Sequence, residues 1–259
     1  MAILVTNDDG IYAPGLEALA AAMSEIDEVF VIAPDREQSA VGHAITLSSP
    51  LRITHIEREC GFTGYATSGT PADAVKLGIK SLMQDLPDLV ISGINLGANV
   101  GASLIYSGTV SAATEGCLLG VPSIAISLDS RTDGHWETAA EFAKIIARDV
   151  LAKGLPEGIL LNVNVPDLPR SDVKGVMITS QGKTNFNDFF EERMDPRGQR
   201  YYWMCGTLVA DDERRDHDVR ALADGYISVT PVHYNLTAHK FLGDLSNWEL
   251  DKNWRGDVH

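Results

Sequence analysis

Asp8 and Asp9 stand side by side at the end of the apolar run Ile3-Leu4-Val5, and Gly10 follows them. Side chains of a regular strand alternate between faces, so adjacent carboxylates converge only where the strand has just ended. Gly10 gives the backbone the freedom to break there. Two like charges so placed repel, and a bound divalent cation relieves that repulsion. The plainer alternative is a turn at Asp9-Gly10, with Asp8 capping the next helix.

Three further loops fall at predicted strand ends on the same edge. They are Ala33-Pro34-Asp35-Arg36-Glu37-Gln38-Ser39, the stretch from Ser92 to Gly101, and Tyr106-Ser107-Gly108-Thr109. The second holds three glycines and two asparagines, Asn95 and Asn99, as expected of a backbone that must approach something closely. The third opens a helix near Val110 and offers free amides, two hydroxyls and the positive end of a helix dipole, which suits a phosphate. Simple N-capping by Ser107 or Thr109 accounts for the same residues. Ser68-Gly69-Thr70 before Pro71 repeats the pattern, and there capping is the better reading. Carboxylate, amide and hydroxyl oxygens without thiols and with few histidines favour Mg²⁺ or Mn²⁺ over Zn²⁺. Such an ion beside a phosphate points to phosphoryl hydrolysis.

The elements that must position these loops alternate. Ile3–Val5, Val29–Ile32, Leu89–Ile91, Ser123–Ile126 and Ile159–Val163 are short apolar runs of the kind a parallel sheet buries on both faces. Between them lie amphipathic stretches. Leu16, Leu19, Ala20 and Met23 follow Pro14, and Ala74, Val75 and Leu77 follow Pro71. Val110–Leu119 and Trp136–Leu151 complete the helical set. This order predicts a Rossmann-like α/β fold with a doubly wound, mostly parallel sheet, whose ligand crevice lies outside the carboxyl ends of the strands. Ile45–Leu47 and Leu51–Thr54 around Ser48-Ser49-Pro50 read as an inserted β-hairpin. Past Pro166 an aromatic stretch, Asn185–Trp203, reads as a protruding hairpin arm. A short helix over 218–223, a strand over 226–230 and an irregular tail follow. The expected division is an α/β catalytic domain over 1–166 and a C-terminal oligomerisation extension over 167–259.

Composition narrows the function. The 259 residues carry 21 Lys and Arg against 36 Asp and Glu, a net charge of −15, which opposes binding to a nucleic-acid polymer. Cys60, Cys117 and Cys205 form no paired motif and read as reduced thiols of a cytoplasmic protein. Neither a signal peptide nor a membrane span is expected. Gly182-Lys183-Thr184 lacks the earlier glycine of a P-loop, because Met177 stands there.

Five motifs occur in order: NDDG, APDREQSAVGHAIT, SGTPADAV, SGINLGANVG and YSGTVSAATEG, with ILLNVNVP and GYISVTP further on. Together they resemble the SurE family of metal-dependent nucleotidases. The resemblance implies hydrolysis of nucleoside monophosphates to nucleoside and phosphate, a 5′-nucleotidase activity. It leaves 3′-nucleotidase and exopolyphosphatase activity open. It implies one divalent cation per subunit, Mg²⁺ or Mn²⁺, held by Asp8, Asp9, Ser39 and Asn95. Asn99, Ser107, Gly108 and Thr109 fall on the phosphate side, Asp8 or Asp9 also serves as base, and the chain assembles as a homodimer or homotetramer. His43 follows the Ser39 loop, where it reaches the phosphate or leaving group, or else makes a structural hydrogen bond. Two rival readings stand beside this one. One is a phosphatase with an aspartyl-phosphate intermediate, although Asp8-Asp9 lacks the usual D-x-D spacing. The other is a nucleotide-binding regulatory module without turnover.

Overall fold

The computed structural model describes residues 1–58, 61–132, 134–210 and 214–255. Cys60 and the acids at 211–213 lie outside them. Eleven strands are described: β1 (Ala2–Thr6), β2 (Glu28–Pro34), β3 (Ile53–Glu57), β4 (Thr63–Thr67), β5 (Leu89–Leu96), β6 (Ser123–Asp129), β7 (Ile159–Pro166), β8 (Val176–Ile178), β9 (Thr184–Met194), β10 (Arg200–Ala210) and β11 (Ile227–His233). The helices are α1 (Pro14–Ser24), α2 (Pro71–Leu77), α3 (Gly108–Leu118), α4 (Trp136–Lys153), α5 (Asp218–Ala223), α6 (Leu242–Ser246) and α7 (Leu250–Arg255).

Nine strands form one sheet in the order β3-β4-β2-β1-β5-β6-β7-β11-β8. Its central members run parallel, as the alternation of strand and helix requires. Burial on both faces explains the near-continuous apolar runs. Ile3 and Val5 pack with Leu16, Leu19 and Met23 of α1 and Phe142 and Ala143 of α4. Leu4, between them in sequence, points the other way, toward Ala74 and Val75 of α2 and Ala112 of α3. The chain past residue 166 completes the same sheet: β11 pairs antiparallel with β7, and β8 adds to β11.

Three local readings change. The inserted hairpin lies further along than expected, with β3 pairing antiparallel to β4 and β4 parallel to β2. Residues 45–47 stay outside the ladder, because the Thr46 amide donates to the Asp73 carboxylate at 3.0 and 3.2 Å. The three-residue strand β8 is too short to leave a periodic signal in the sequence. The tail holds two short helices, α6 and α7, where irregular chain was expected. The arm is a hairpin as expected, with β9 and β10 in full antiparallel register from Thr184↔Ala210 to Met194↔Arg200, separate from the main sheet.

Candidate active site

The acidic pair sits at the tip of β1, just outside the carboxyl edge of the sheet. Asn7 fixes the break: its side chain accepts from the Gly10 amide at 3.1 Å and donates to the Gly10 carbonyl at 3.0 Å. Gly10 has φ +99, and a Cβ there would come within 3.1 Å of the Arg36 backbone. Only glycine relieves both constraints at once.

Asp8 turns inward. It is 4% exposed, and the Thr109 hydroxyl donates to its Oδ1 at 2.5 Å. Burial pushes its carboxyl above the ordinary range. The Thr109 hydroxyl and the backbone amides of Asp8, Thr109 and Gly108 partly offset this. The approach is close enough that a Cβ on Gly108 would lie 2.7 Å from the Asp8 Cβ and 2.8 Å from its Oδ2. A glycine at the first position of α3 therefore lets a strand-tip carboxylate reach the positive end of that helix.

Asp9 is half-buried, and its Oδ2 accepts from the Leu96 amide at 3.1 Å. Burial raises its carboxyl to about 6, the neighbouring Asp8 adds to the rise, and the Leu96 amide opposes it. The expected repulsion within the pair is thus visible in Asp9, whose environment disfavours a second negative charge.

Two loops tie their backbone to this pair beside the remaining expected residues. The Gln38 amide donates to the Asp8 carbonyl at 2.8 Å, setting Ser39 next to the strand tip. The Ser39 hydroxyl donates to Glu37 Oε1 at 2.6 Å. Asn95 precedes Leu96, and its Nδ2 donates to the Gly97 carbonyl at 2.6 Å, which turns its amide oxygen the other way. Two carboxylates, a hydroxyl and an amide oxygen are donor types of the kind that suit Mg²⁺ or Mn²⁺. Among the described residues no cluster of three or more His, Cys, Asp and Glu offers a rival metal site.

The phosphate-side residues are more deeply engaged in the protein than the sequence suggests. The Ser107 hydroxyl accepts from the Val110 amide at 3.1 Å, so it caps α3. Asn99 donates from Nδ2 to the Ser127 hydroxyl at 2.9 Å, and its backbone amide donates to Asn164 Oδ1 at 2.8 Å. Thr70 caps α2 as expected, with a reciprocal bond from its own amide to Asp73. His43 lies 2.9 Å from Glu115 Oε2 through Nε2, while Lys76 sits 2.8 Å from the other oxygen. Burial pushes the Glu115 carboxyl up, but those two bonds more than offset it and leave it below the ordinary range. His43 therefore makes the structural hydrogen bond.

Reading the sequence alone missed a polar floor under α3. Asn162 and Asn164 of β7 both donate to the Asn99 carbonyl, at 2.8 and 3.0 Å. Thr6, Ser92 and Asn162 lie in one lateral row across β1, β5, β6 and β7, and each keeps a buried oxygen without a partner. The available signal was two asparagines alternating with valines in a run otherwise fit for a core strand. Asp218 was missed too. Fully buried, it accepts from the Gly101 amide at 2.9 Å and the Gly182 amide at 2.8 Å, so the Gly182 amide that leads into β9 serves a structural bond.

A doubly wound α/β sheet with paired carboxylates at the first strand tip, Asp8 of the pair seated against a helix N-terminus, places the molecule among the α/β proteins that bind ligands outside the carboxyl ends of their strands. Residues 3–188 match the family model described as Survival protein SurE. The chain is 51% identical over 251 residues to the 5′-nucleotidase SurE of Symbiobacterium thermophilum, covering 96% of this chain and 98% of that protein. It is 48% identical over 250 residues to the 5′-nucleotidase SurE of Syntrophobacter fumaroxidans, covering 96% and 100%. The crystal structure of the SurE protein from Aquifex aeolicus superposes with a TM-score of 0.83 at 40% identity, covering 96% of this chain and all of that one. The chain belongs to the SurE family.

Proposed function

We propose that this chain is a metal-dependent 5′-nucleotidase that hydrolyses nucleoside monophosphates to nucleoside and phosphate. The observation that carries the reading is the seating of Asp8 against the N-terminus of α3, with Asp9 beside it under charge stress. Asp8, Asp9, Ser39 and Asn95 would hold one Mg²⁺ or Mn²⁺. When bound, the cation supplies Lewis-acid polarisation of a phosphoryl oxygen and lowers the pKa of a water.

The residues themselves supply orientation and proton transfer. Thr109 fixes the Asp8 rotamer, so the strand-tip carboxylate keeps one direction through turnover. Asp8 or Asp9, both carboxyls pushed up by burial in the metal-free chain, would accept a proton from the attacking water. The positive end of α3 favours the phosphate dianion, with Asn99, Ser107, Gly108 and Thr109 as the surrounding shell. The buried floor of Asn162, Asn164 and Ser127 holds the 97–107 loop in place from below.

The reading extends to a cytoplasmic homodimer or homotetramer. In it, residues 1–166 carry catalysis and the extension over 167–259, through the arm and the tail after Pro231, makes the subunit contacts. No helix among the described residues is long and apolar enough to cross a membrane.

Phosphate release from AMP tests the activity. Release stimulated by Mn²⁺ and abolished by chelator is expected. Nucleotide binding without release would leave only a regulatory module, and a trapped labelled phosphoenzyme would establish an aspartyl-phosphate route.

A further inference from the structure

Next to the acidic pair the crevice widens into an open cleft of 640 Å³. That lies within the range of about 300–1,000 Å³ usual for small-molecule sites. Asp9, Tyr12, Glu37, Leu96, Thr132 and Trp136 wall it. Tyr12 is 60% exposed and Leu96 39% exposed, although both are large apolar side chains beside a charged site. The Tyr12 ring stacks on no other ring among the described residues. Trp136 is partly buried against the core. A Cβ added at Gly15 would lie 2.8 Å from Trp136 Cζ3, so the indole is seated directly on the first turn of α1. One wall is therefore rigid and aromatic, and another presents an aromatic side chain toward solvent.

We infer that this cleft takes the nucleobase of the substrate, with Tyr12 and Trp136 as its aromatic walls. The inference rests on the nucleotidase reading above, and the reason is geometric. A phosphate held at Asp8, Asp9 and α3 leaves the nucleoside to project along the crevice, and a base must find apolar or π surface to leave water. Stacking on an aromatic side chain tolerates any base, because each has a π face. The cleft thus selects nucleotides over plain sugar phosphates and separates one base from another only weakly. Tyr12 and Trp136 act on substrate binding and leave the chemistry at phosphorus to the acidic pair.

Two measurements decide the matter. In the first, kcat and KM for AMP and ribose 5-phosphate are compared in Mn²⁺ for the wild type, Tyr12→Ala and Tyr12→Phe. Tyr12→Ala should reduce the preference for AMP over ribose 5-phosphate about tenfold, through the KM for AMP, and Tyr12→Phe should restore it. In the second, adenosine is titrated into the metal-free protein while tryptophan fluorescence is followed. A saturable quench is expected, weakened in Tyr12→Ala and lost in Trp136→Phe. If the wild type shows no quench, or Tyr12→Ala leaves the substrate preference unmoved, the base lies elsewhere and the inference falls while the nucleotidase stands. If the wild type releases phosphate from neither substrate, the nucleotidase reading falls instead, and the adenosine titration still decides what the cleft binds.

Discussion

In the sheet, Ile3, Leu4 and Val5 are wholly buried, whereas along the arm Phe189, Phe190, Tyr202, Trp203 and Met204 are each more than half exposed. Both regions are rich in apolar side chains, and the difference lies in what covers them. Helices of the same chain close both faces of the sheet. A two-stranded hairpin has no second layer and is marginal alone. The tail repeats the pattern, with Leu236 95% exposed and Trp254 87% exposed. We attribute this uncovered surface to contacts with further copies of the chain. The two regions meet at Asp218, whose carboxylate ties the Gly101 amide of the site loop to the Gly182 amide at the root of the arm.

The strongest way to break this contrast is to strike the site and ask whether the fold notices. Asp8→Asn should lower turnover at least about a hundredfold, the scale for losing one electrostatic element of a transition state. It should also weaken Mn²⁺ binding in calorimetry. Its melting temperature in chelator should equal or exceed that of the wild type, because burial already disfavours the charge on Asp8. Full Mn²⁺ affinity in the variant would remove Asp8 from the ligand set. A collapse of the chelated fold would make Asp8 a structural cap.

Thr109→Ala comes next. The structure gives it a more specific role than the sequence did, since the hydroxyl donates to Asp8. Turnover should fall roughly tenfold to a thousandfold. Thr109→Ser, which keeps the hydroxyl, should recover most of it. Vanadate inhibition unchanged in the alanine variant would show that the threonine has no part in anion binding.

The sheet, its main helices and the acidic edge were legible because their signals are local. Apolar runs, Pro14 and Pro71 at helix starts, and Gly10 after the carboxylates each speak within a few residues. What escaped depends on contacts across the fold. Asn162 and Asn164 gain meaning only once Asn99 lies above them, 63 and 65 residues away respectively. The inserted hairpin was misplaced because Asp73, distant in sequence, claims the Thr46 amide. The capping reading of Ser107 and the phosphate reading rested on the same local pattern, and only the bond to Val110 shows what its hydroxyl does here.

The other side of the contrast is sharpened by removing the tail. Truncation after His233 keeps β11 whole, including its pairing of His233 with Ile159. The truncated chain should retain the circular dichroism of the core and shift to smaller species in light scattering. An unchanged mass would place the subunit contacts elsewhere, and a lost fold would mean the tail stabilises its own subunit.

The smallest effect expected is a pH dependence that belongs to the site edge alone. Folding raises the Asp9 carboxyl from 3.8 to about 6, so the folded chain holds that proton more tightly than the unfolded chain. The stability linked to Asp9 is then fully present below about pH 4 and is lost as the pH rises through 6, a change on the order of 3 kcal/mol. Asp73 and Glu115 run the opposite way, since their lowered carboxyls stabilise above the ordinary range and lose that contribution on acidification. The Asp9 contribution is therefore read as a difference. Denaturant unfolding in chelator, from pH 4 to 7.5, should show wild type losing stability relative to Asp9→Asn as the pH rises. Saturating Mn²⁺ should reverse the sign for the wild type above pH 6, because a cation binds only the ionised pair and stabilises what it binds. Parallel curves in chelator would mean that Asp9 carries no charge stress. A gap that opens in chelator and persists unchanged in Mn²⁺ would mean that the stress is real but the cation does not bind there.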